Sequence, residues 1–123
     1  MNIIDSSGWL EYFSDGPNAG HYLPPLNDPP FLIVPVITIY EVFKVVLRES
    51  SENSALQAVA AMQKGRVVDL TAKLAMESSK LSLLHDLPMA DSIILATAQA
   101  YQCTIWTQDA DFQHIEGVKY FPK

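Results

Sequence analysis

Residues 88–112, PMADSIILATAQAYQCTIWTQDADF, constrain the fold more than any other part of the chain. Pro88 suits a first helical position, because the N–H that it lacks would have no partner there. From Pro88 to Tyr101 the only charged residue is Asp91. At ~100° per residue, Ile94, Leu95 and Ala98 share the face of Asp91, so this acid lies on the apolar side of the predicted helix. Cys103-Thr104-Ile105-Trp106 then reads as a buried strand, and Thr107-Gln108-Asp109 leaves its C-terminal end. Open α/β sheets keep their ligand sites at the carboxyl ends of strands. An acid in the first turn of a helix also suits the macrodipole. A functional role for Asp91 therefore depends on whether other acids reach the same place.

The rest of the chain repeats the alternation. Residues 2–5 form a short apolar strand ending in Asp5, and Ser6-Ser7-Gly8 turns into a helix with Trp9, Tyr12 and Phe13 at i, i+3 and i+4. Asp5 or Ser6 can cap that helix. Residues 14–30 carry turn signals at Asp15-Gly16 and Asn27-Asp28-Pro29-Pro30. Between them a short helix can begin at Pro17, and Pro24-Pro25 should interrupt it. His21 has no partner at ligand spacing, which leaves it a solvated or packing role. Phe31-Leu32-Ile33-Val34 is a continuous apolar run, as in a strand buried on both faces.

Thr38-Ile39-Tyr40-Glu41 has the form of a capping box. A helix already begun near Pro35 would instead leave Glu41 inside it. That helix runs to about Glu49 and puts Glu41, Lys44 and Arg48 on one polar stripe. A second helix follows over 52–64, with Leu56, Val59, Ala60 and Gln63 on its stripe and Gly65 as its C′ residue. After a strand over 66–70, Thr71 caps a helix over 72–85 whose Leu74, Leu81 and Leu84 face inward. Asp111 and Phe112 lie in a short helical turn, and residues 117–121 form a last strand. Strands alternating with helices call for a parallel sheet with crossover connections.

In such a layer, strand C-termini and the N-termini of the helices that follow share one edge. Asp5 and Asp109 follow the ends of apolar strands, Glu41 lies one turn into a helix after a third, and Asp91 enters from a helix's first turn. The four can converge on one pocket. Alone they would raise each other's pKa values, and a hard divalent cation reverses that logic. Mg²⁺ or Mn²⁺ prefers carboxylate and water oxygen, and no paired Cys or His is placed for zinc. Such a cluster suits two-metal phosphodiester hydrolysis, with the ions ~3.5–4 Å apart. Asp111 can be a fifth ligand, an outer-sphere acid or an exposed turn residue, and the last two suit it better.

Four segments together resemble the PIN-domain ribonucleases, and among them the VapC-type toxins of toxin–antitoxin pairs. They are Asp5-Ser6-Ser7 with Trp9; Val34-Pro35 through Ile39-Tyr40-Glu41-Val42; Ala90-Asp91-Ser92-Ile93-Ile94-Leu95-Ala96-Thr97-Ala98; and Thr107-Gln108-Asp109-Ala110-Asp111-Phe112. The resemblance covers nearly the whole chain as one domain, residues 1–123. It implies an α/β, PIN-like three-layer fold, a central parallel sheet of about five short strands flanked by helices. It also implies that Asp5, Glu41, Asp91 and Asp109 form an acidic metal pocket for Mg²⁺ or Mn²⁺, supported by the hydroxyls of Thr107 and Ser6. The activity implied is RNA cleavage by the toxin of a toxin–antitoxin pair. The partners implied are an RNA substrate, a cognate antitoxin over the pocket and a second copy in a homodimer. The Pro-rich residues 24–30 depart from the family, where a helix is more usual.

Composition bounds these expectations. The chain has 123 residues, 49% of them hydrophobic, enough for one domain with its own core. One cysteine, Cys103, allows no internal disulfide and fits the cytoplasm. No basic n-region or long apolar segment marks a signal peptide or membrane span. The net charge of -6 opposes nucleic acid unless metal ions offset it. Lys44 and Arg48, leading away from Glu41, are candidates to track an RNA backbone. Two other readings stand beside the nuclease. A catalytically silent PIN-like RNA- or protein-binding module would keep the fold without turnover. A phospho-accepting receiver domain needs an acceptor Asp ending a middle strand and a Lys ending a later one, and neither is found.

Overall fold

The computed structural model describes residues 1–123. Five strands, β1 (Asn2–Ile4), β2 (Ile33–Pro35), β3 (Arg66–Val68), β4 (Thr104–Thr107) and β5 (Val118–Tyr120), alternate with six helices. These are α1 (Ser6–Phe13), α2 (Leu23–Leu26), α3 (Val36–Glu49), α4 (Glu52–Met62), α5 (Ala72–His85) and α6 (Met89–Tyr101). Every strand pair is parallel. The strands make two small sheets, β1-β4-β5 and β2-β3, joined by a single bridge between Asn2 and Leu32. Across both, the order is β3-β2-β1-β4-β5. The chain therefore winds one way from β1 and the other way from β4, and the reversal falls between these two strands, where α/β sheets place their ligand crevice.

Neighbouring strand residues divide between two cores. Ile3, Ile33 and Ile105 join Leu81, Leu87, Ile94 and Phe112 on one side. Ile4, Val34 and Trp106 join Trp9, Tyr22, Val42 and Met62 on the other. This is the period-2 alternation of a strand with both faces covered. The result is a helix–sheet–helix arrangement, in which each large apolar side chain removed from water contributes about 1.5–3 kcal/mol. Trp106 adds a hydrogen bond from its indole N–H to the side chain of Asn2, 2.9 Å. Eight consecutive residues of α6, Asp91 to Ala98, are buried. The helix lies inside the structure, which explains why its sequence tolerates almost no charge.

Several local expectations are corrected. Pro24 and Pro25 do not interrupt a helix. They form the first turn of α2, where no N–H is needed, after a 3₁₀ turn at Ala19–Tyr22. Pro17 lies before that turn and starts no helix. α3 begins at Val36, so Thr38 donates to the Pro35 carbonyl at 2.7 Å instead of forming a capping box, and Glu41 lies inside the helix. α4 buries Ala55, Ala58 and Met62, not the stripe through Leu56, because small residues let it approach α3 closely. In α5 Leu81 is buried but Leu84 is 75% exposed. Gly65 does not have a left-handed backbone. Its requirement is space, since a Cβ there would meet the Leu32 carbonyl oxygen at 2.9 Å. His21 takes the packing role, stacked on Phe121 with ring centroids 4.7 Å apart.

Candidate metal centre

Asp5 sits where β1 becomes α1. Its N–H continues the parallel ladder to the Trp106 carbonyl at 3.1 Å, which fixes the residue beside the end of β4. Its side chain caps α1 by accepting from the Gly8 N–H at 2.9 Å. The same oxygen accepts from the Ser7 hydroxyl at 2.7 Å, and the other accepts from Thr107 at 2.6 Å. Only 2% of Asp5 is exposed. Burial pushes its carboxyl up to about 6, against the pull of the Thr107, Ser7 and Gly8 donors, and the charge of Asp109 adds to the rise. Capping α1 and standing near the charge of Asp109 are thus the same geometry, not competing roles.

Thr107 ends β4 and links two acids. While its hydroxyl donates to Asp5, its oxygen accepts from the Asp109 N–H at 2.9 Å. Asp109 in turn accepts from the Asp111 N–H at 2.9 Å, which starts the 3₁₀ turn Ala110–Phe112. Asp91 comes from the first turn of α6 and is 9% exposed. One carboxylate oxygen from each of Asp91, Asp109 and Asp111 lies within 4.8 Å of the others. Burial pushes the Asp91 carboxyl up to about 8, helped by the charges of Asp109 and Asp5 and by a hydrogen bond with Asp111. Asp111 is exposed, as a turn residue should be, yet its carboxylate belongs to the tight group.

Glu41 arrives from α3 by another route. The Ser6 hydroxyl donates to it at 2.5 Å, so it is tied to the residue next to Asp5. It lies outside the tight three-acid group. Lys44 makes no ion pair with Glu41; its ammonium stands 5.6 Å from the centre of the Tyr40 ring. Arg48 pairs with Glu49 at 3.4 Å on the exposed end of α3. Beneath the acids lies a polar network that sequence reasoning missed. Asn18 donates to Gln108 at 3.1 Å, Glu11 accepts from the Asn18 N–H at 2.8 Å, and the Gln108 N–H reaches Ser7 at 3.3 Å. None of these pairings has a local sequence pattern. They join residues as far apart as Ser7 and Gln108.

The donor set fits a hard divalent cation. It consists of carboxylates with supporting hydroxyls, and its like charges raise a buried acid that a cation would return to the ionised form. No helix is long and apolar enough to cross a membrane.

Comparison with known proteins bears on the family and the fold. The family profile described as PIN domain matches residues 3–118. No curated protein sequence matches significantly. Among solved structures, a toxin–antitoxin complex from Klebsiella pneumoniae superposes with a TM-score of 0.84 at 25% identity, covering 100% of both chains. A sarcin-ricin loop-cleaving VapC toxin of Mycobacterium tuberculosis superposes with a TM-score of 0.83 at 18% identity, covering 99% of this chain and 100% of that one. A DNA-bound VapBC of Salmonella typhimurium gives 0.75 at 14% identity, with 99% and 98% covered.

Proposed function

This chain belongs to the PIN domain family, and on that premise we propose that it is a divalent-metal-dependent endoribonuclease, the toxin of a toxin–antitoxin pair. The observation that carries the proposal is the meeting of Asp91, Asp109 and Asp111 within 4.8 Å beside the buried Asp5, at the edge where the sheet reverses direction. On this proposal residues 1–123 act as one domain, with Asp5, Asp91, Asp109 and Glu41 as the catalytic and metal-binding acids and Asp111 as an additional outer acid. Bound there, Mg²⁺ or Mn²⁺ would supply a Lewis acid for the phosphodiester and an activated water.

The chain's own residues prepare the pocket. Thr107 and Ser7 hold Asp5 in one orientation, and Thr107 sets the backbone of Asp109. Ser6 orients Glu41. The buried wall of α6 excludes water behind Asp91. Lys44 and Arg48 offer cations to a phosphate backbone on α3. RNA is generally read at unpaired loops, so the expected substrate is a structured RNA cut in a loop.

The partners follow the same premise. The resemblance to a toxin–antitoxin complex supports a cognate antitoxin in the cytoplasm. Leu83 at 89% exposure, with the exposed Leu84 and Met89 on either side of the α5–α6 turn, supports a second copy of the chain as a cover.

The test is cleavage of a structured RNA by purified, antitoxin-free protein with Mg²⁺ or Mn²⁺, with chelator, and by Asp91→Asn. Cleavage that needs the metal and disappears in the variant is the expected outcome. Cleavage that survives chelator and variant alike would point to a contaminant. Its absence across cellular RNA would leave a silent binding module.

A further inference from the structure

We propose that the exposed ring of Tyr40, with the Lys44 ammonium over it, is a stacking platform that holds an unpaired RNA base beside the acidic pocket. The proposal rests on the nuclease reading of that pocket and adds to it a place for the neighbouring nucleotide.

Tyr40 stands between Val36 at 37% and Leu47 at 45% exposure on one face of α3, and the opposite side of the helix packs inward. Thr38 and Val42 are buried, while Ile37 packs on one core and Ile39 on the other. Glu41 turns toward Ser6. Tyr40, one residue before Glu41, points away from both cores and keeps 61% of its surface exposed. The core therefore gives no reason for an aromatic ring at this position. Its one specific neighbour is Lys44, a turn further on, at 5.6 Å from the ring centre. Lys44 has no carboxylate partner, whereas Arg48 is engaged by Glu49.

The pairing matches the two things that every nucleotide presents. A base offers a π face, for which an exposed aromatic ring is a sequence-tolerant partner. Its phosphate offers a negative charge, for which the unpaired ammonium over the other side of the ring is the complement. A cation over the ring also strengthens its hold on the plane. On a chain of net charge -6, a strand entering an acidic pocket needs such an anchor at its mouth. Tyr40 and Glu41 are consecutive on α3 and point about 100° apart, so a base stacked on Tyr40 lies one step round the helix from Glu41. Stacking reads no particular base edge, so sequence preference at this nucleotide should be weak.

The experiment compares binding of a fluorescently labelled single-stranded RNA oligonucleotide, by anisotropy, in an Asp91→Asn background carrying Tyr40→Ala, Tyr40→Phe or Lys44→Ala. Thermal melting and light scattering are recorded for each, and cleavage is measured in the otherwise native chain. Tyr40→Ala should weaken binding by about tenfold to a hundredfold. Tyr40→Phe, which keeps the ring, should bind like the parent. Lys44→Ala should lower the slope of log affinity against log salt by about one. If native protein cleaves RNA but Tyr40→Ala neither weakens binding nor raises KM, the platform is wrong and the nuclease stands. If native protein neither binds nor cleaves RNA with metal, both fail together. If Tyr40→Ala changes the molecular mass in solution, Tyr40 belongs to a protein interface and the proposal is overturned.

Discussion

Thr107 donates a 2.6 Å hydrogen bond to Asp5 while accepting one from the Asp109 N–H at 2.9 Å, so one buried hydroxyl sets two acids just beyond the ends of neighbouring strands. Thr107→Val keeps the shape and removes both bonds. It should cost about 1–3 kcal/mol of stability, because a buried acceptor and a backbone N–H lose their partner. Metal affinity should fall about tenfold to a hundredfold, as for other groups that orient ligands. Thr107→Ser should restore most of both. Chemical denaturation and Mn²⁺ titration check the pair.

The acids predict a pH dependence whose sign can be worked out. Asp5 and Asp91 are raised in the folded protein to about 6 and about 8, above the ordinary carboxylate value of 3.8. The metal-free fold therefore binds more protons than the unfolded chain. The stability these groups contribute is complete below pH ~4 and is lost as pH rises through the raised values. Thermal melting of metal-free protein should show a fall of at least about 4 °C between pH 5 and pH 8. Saturating Mn²⁺ should reverse it, with protons released on binding. A melting temperature flat with pH would contradict the burial and the like charges that raise these acids.

Asp91→Asn should separate stability from function. It removes the charge that Asp109, Asp5 and Asp111 oppose. The metal-free variant should melt about 4 °C or more above the parent at pH 8, while Mn²⁺ affinity and cleavage are lost. Asp111→Asn, at the exposed rim, should weaken Mn²⁺ by about tenfold without abolishing binding. Isothermal titration of the two variants ranks the acids.

Gly8 offers a packing test away from the charges. A Cβ at this position would meet Tyr22 Cε1 at 2.6 Å and Ile4 Cγ2 at 2.7 Å, and both side chains are buried. Gly8→Ala should destabilise by about 1–3 kcal/mol. It should also impair Mn²⁺ binding, because the Gly8 N–H holds Asp5. Urea denaturation of the variant measures the first effect.

The alternation of strand and helix was legible because each strand run is short and apolar and each helix carries its own periodicity. The helix over 88–101 was the clearest case, since its lack of charge has no other physical cause than burial. The shared edge of Asp5, Asp91 and Asp109 followed from topology, once strand ends and helix starts were known to lie together. What stayed hidden depends on contacts distant in sequence. Leu84 matches the inward stripe of its helix, but the helix meets the core mainly through Leu81. Asp111 reads as an outer-sphere acid or an exposed turn residue rather than a ligand, and only the fold of the 3₁₀ turn brings its carboxylate to Asp91. Leu56 has the apolar character of an internal residue, but α4 buries Ala55, Ala58 and Met62 instead.

The reversal between β1 and β4 has a consequence during synthesis. Thr107, which with Asp109 completes the surroundings of Asp5, leaves the ribosome 102 residues after it. No partial product ending before β4 can assemble the pocket. Any chemistry of the pocket therefore waits until β4 has been made. A premature stop anywhere upstream of β4 yields a fragment without the pocket, whatever acids it already carries.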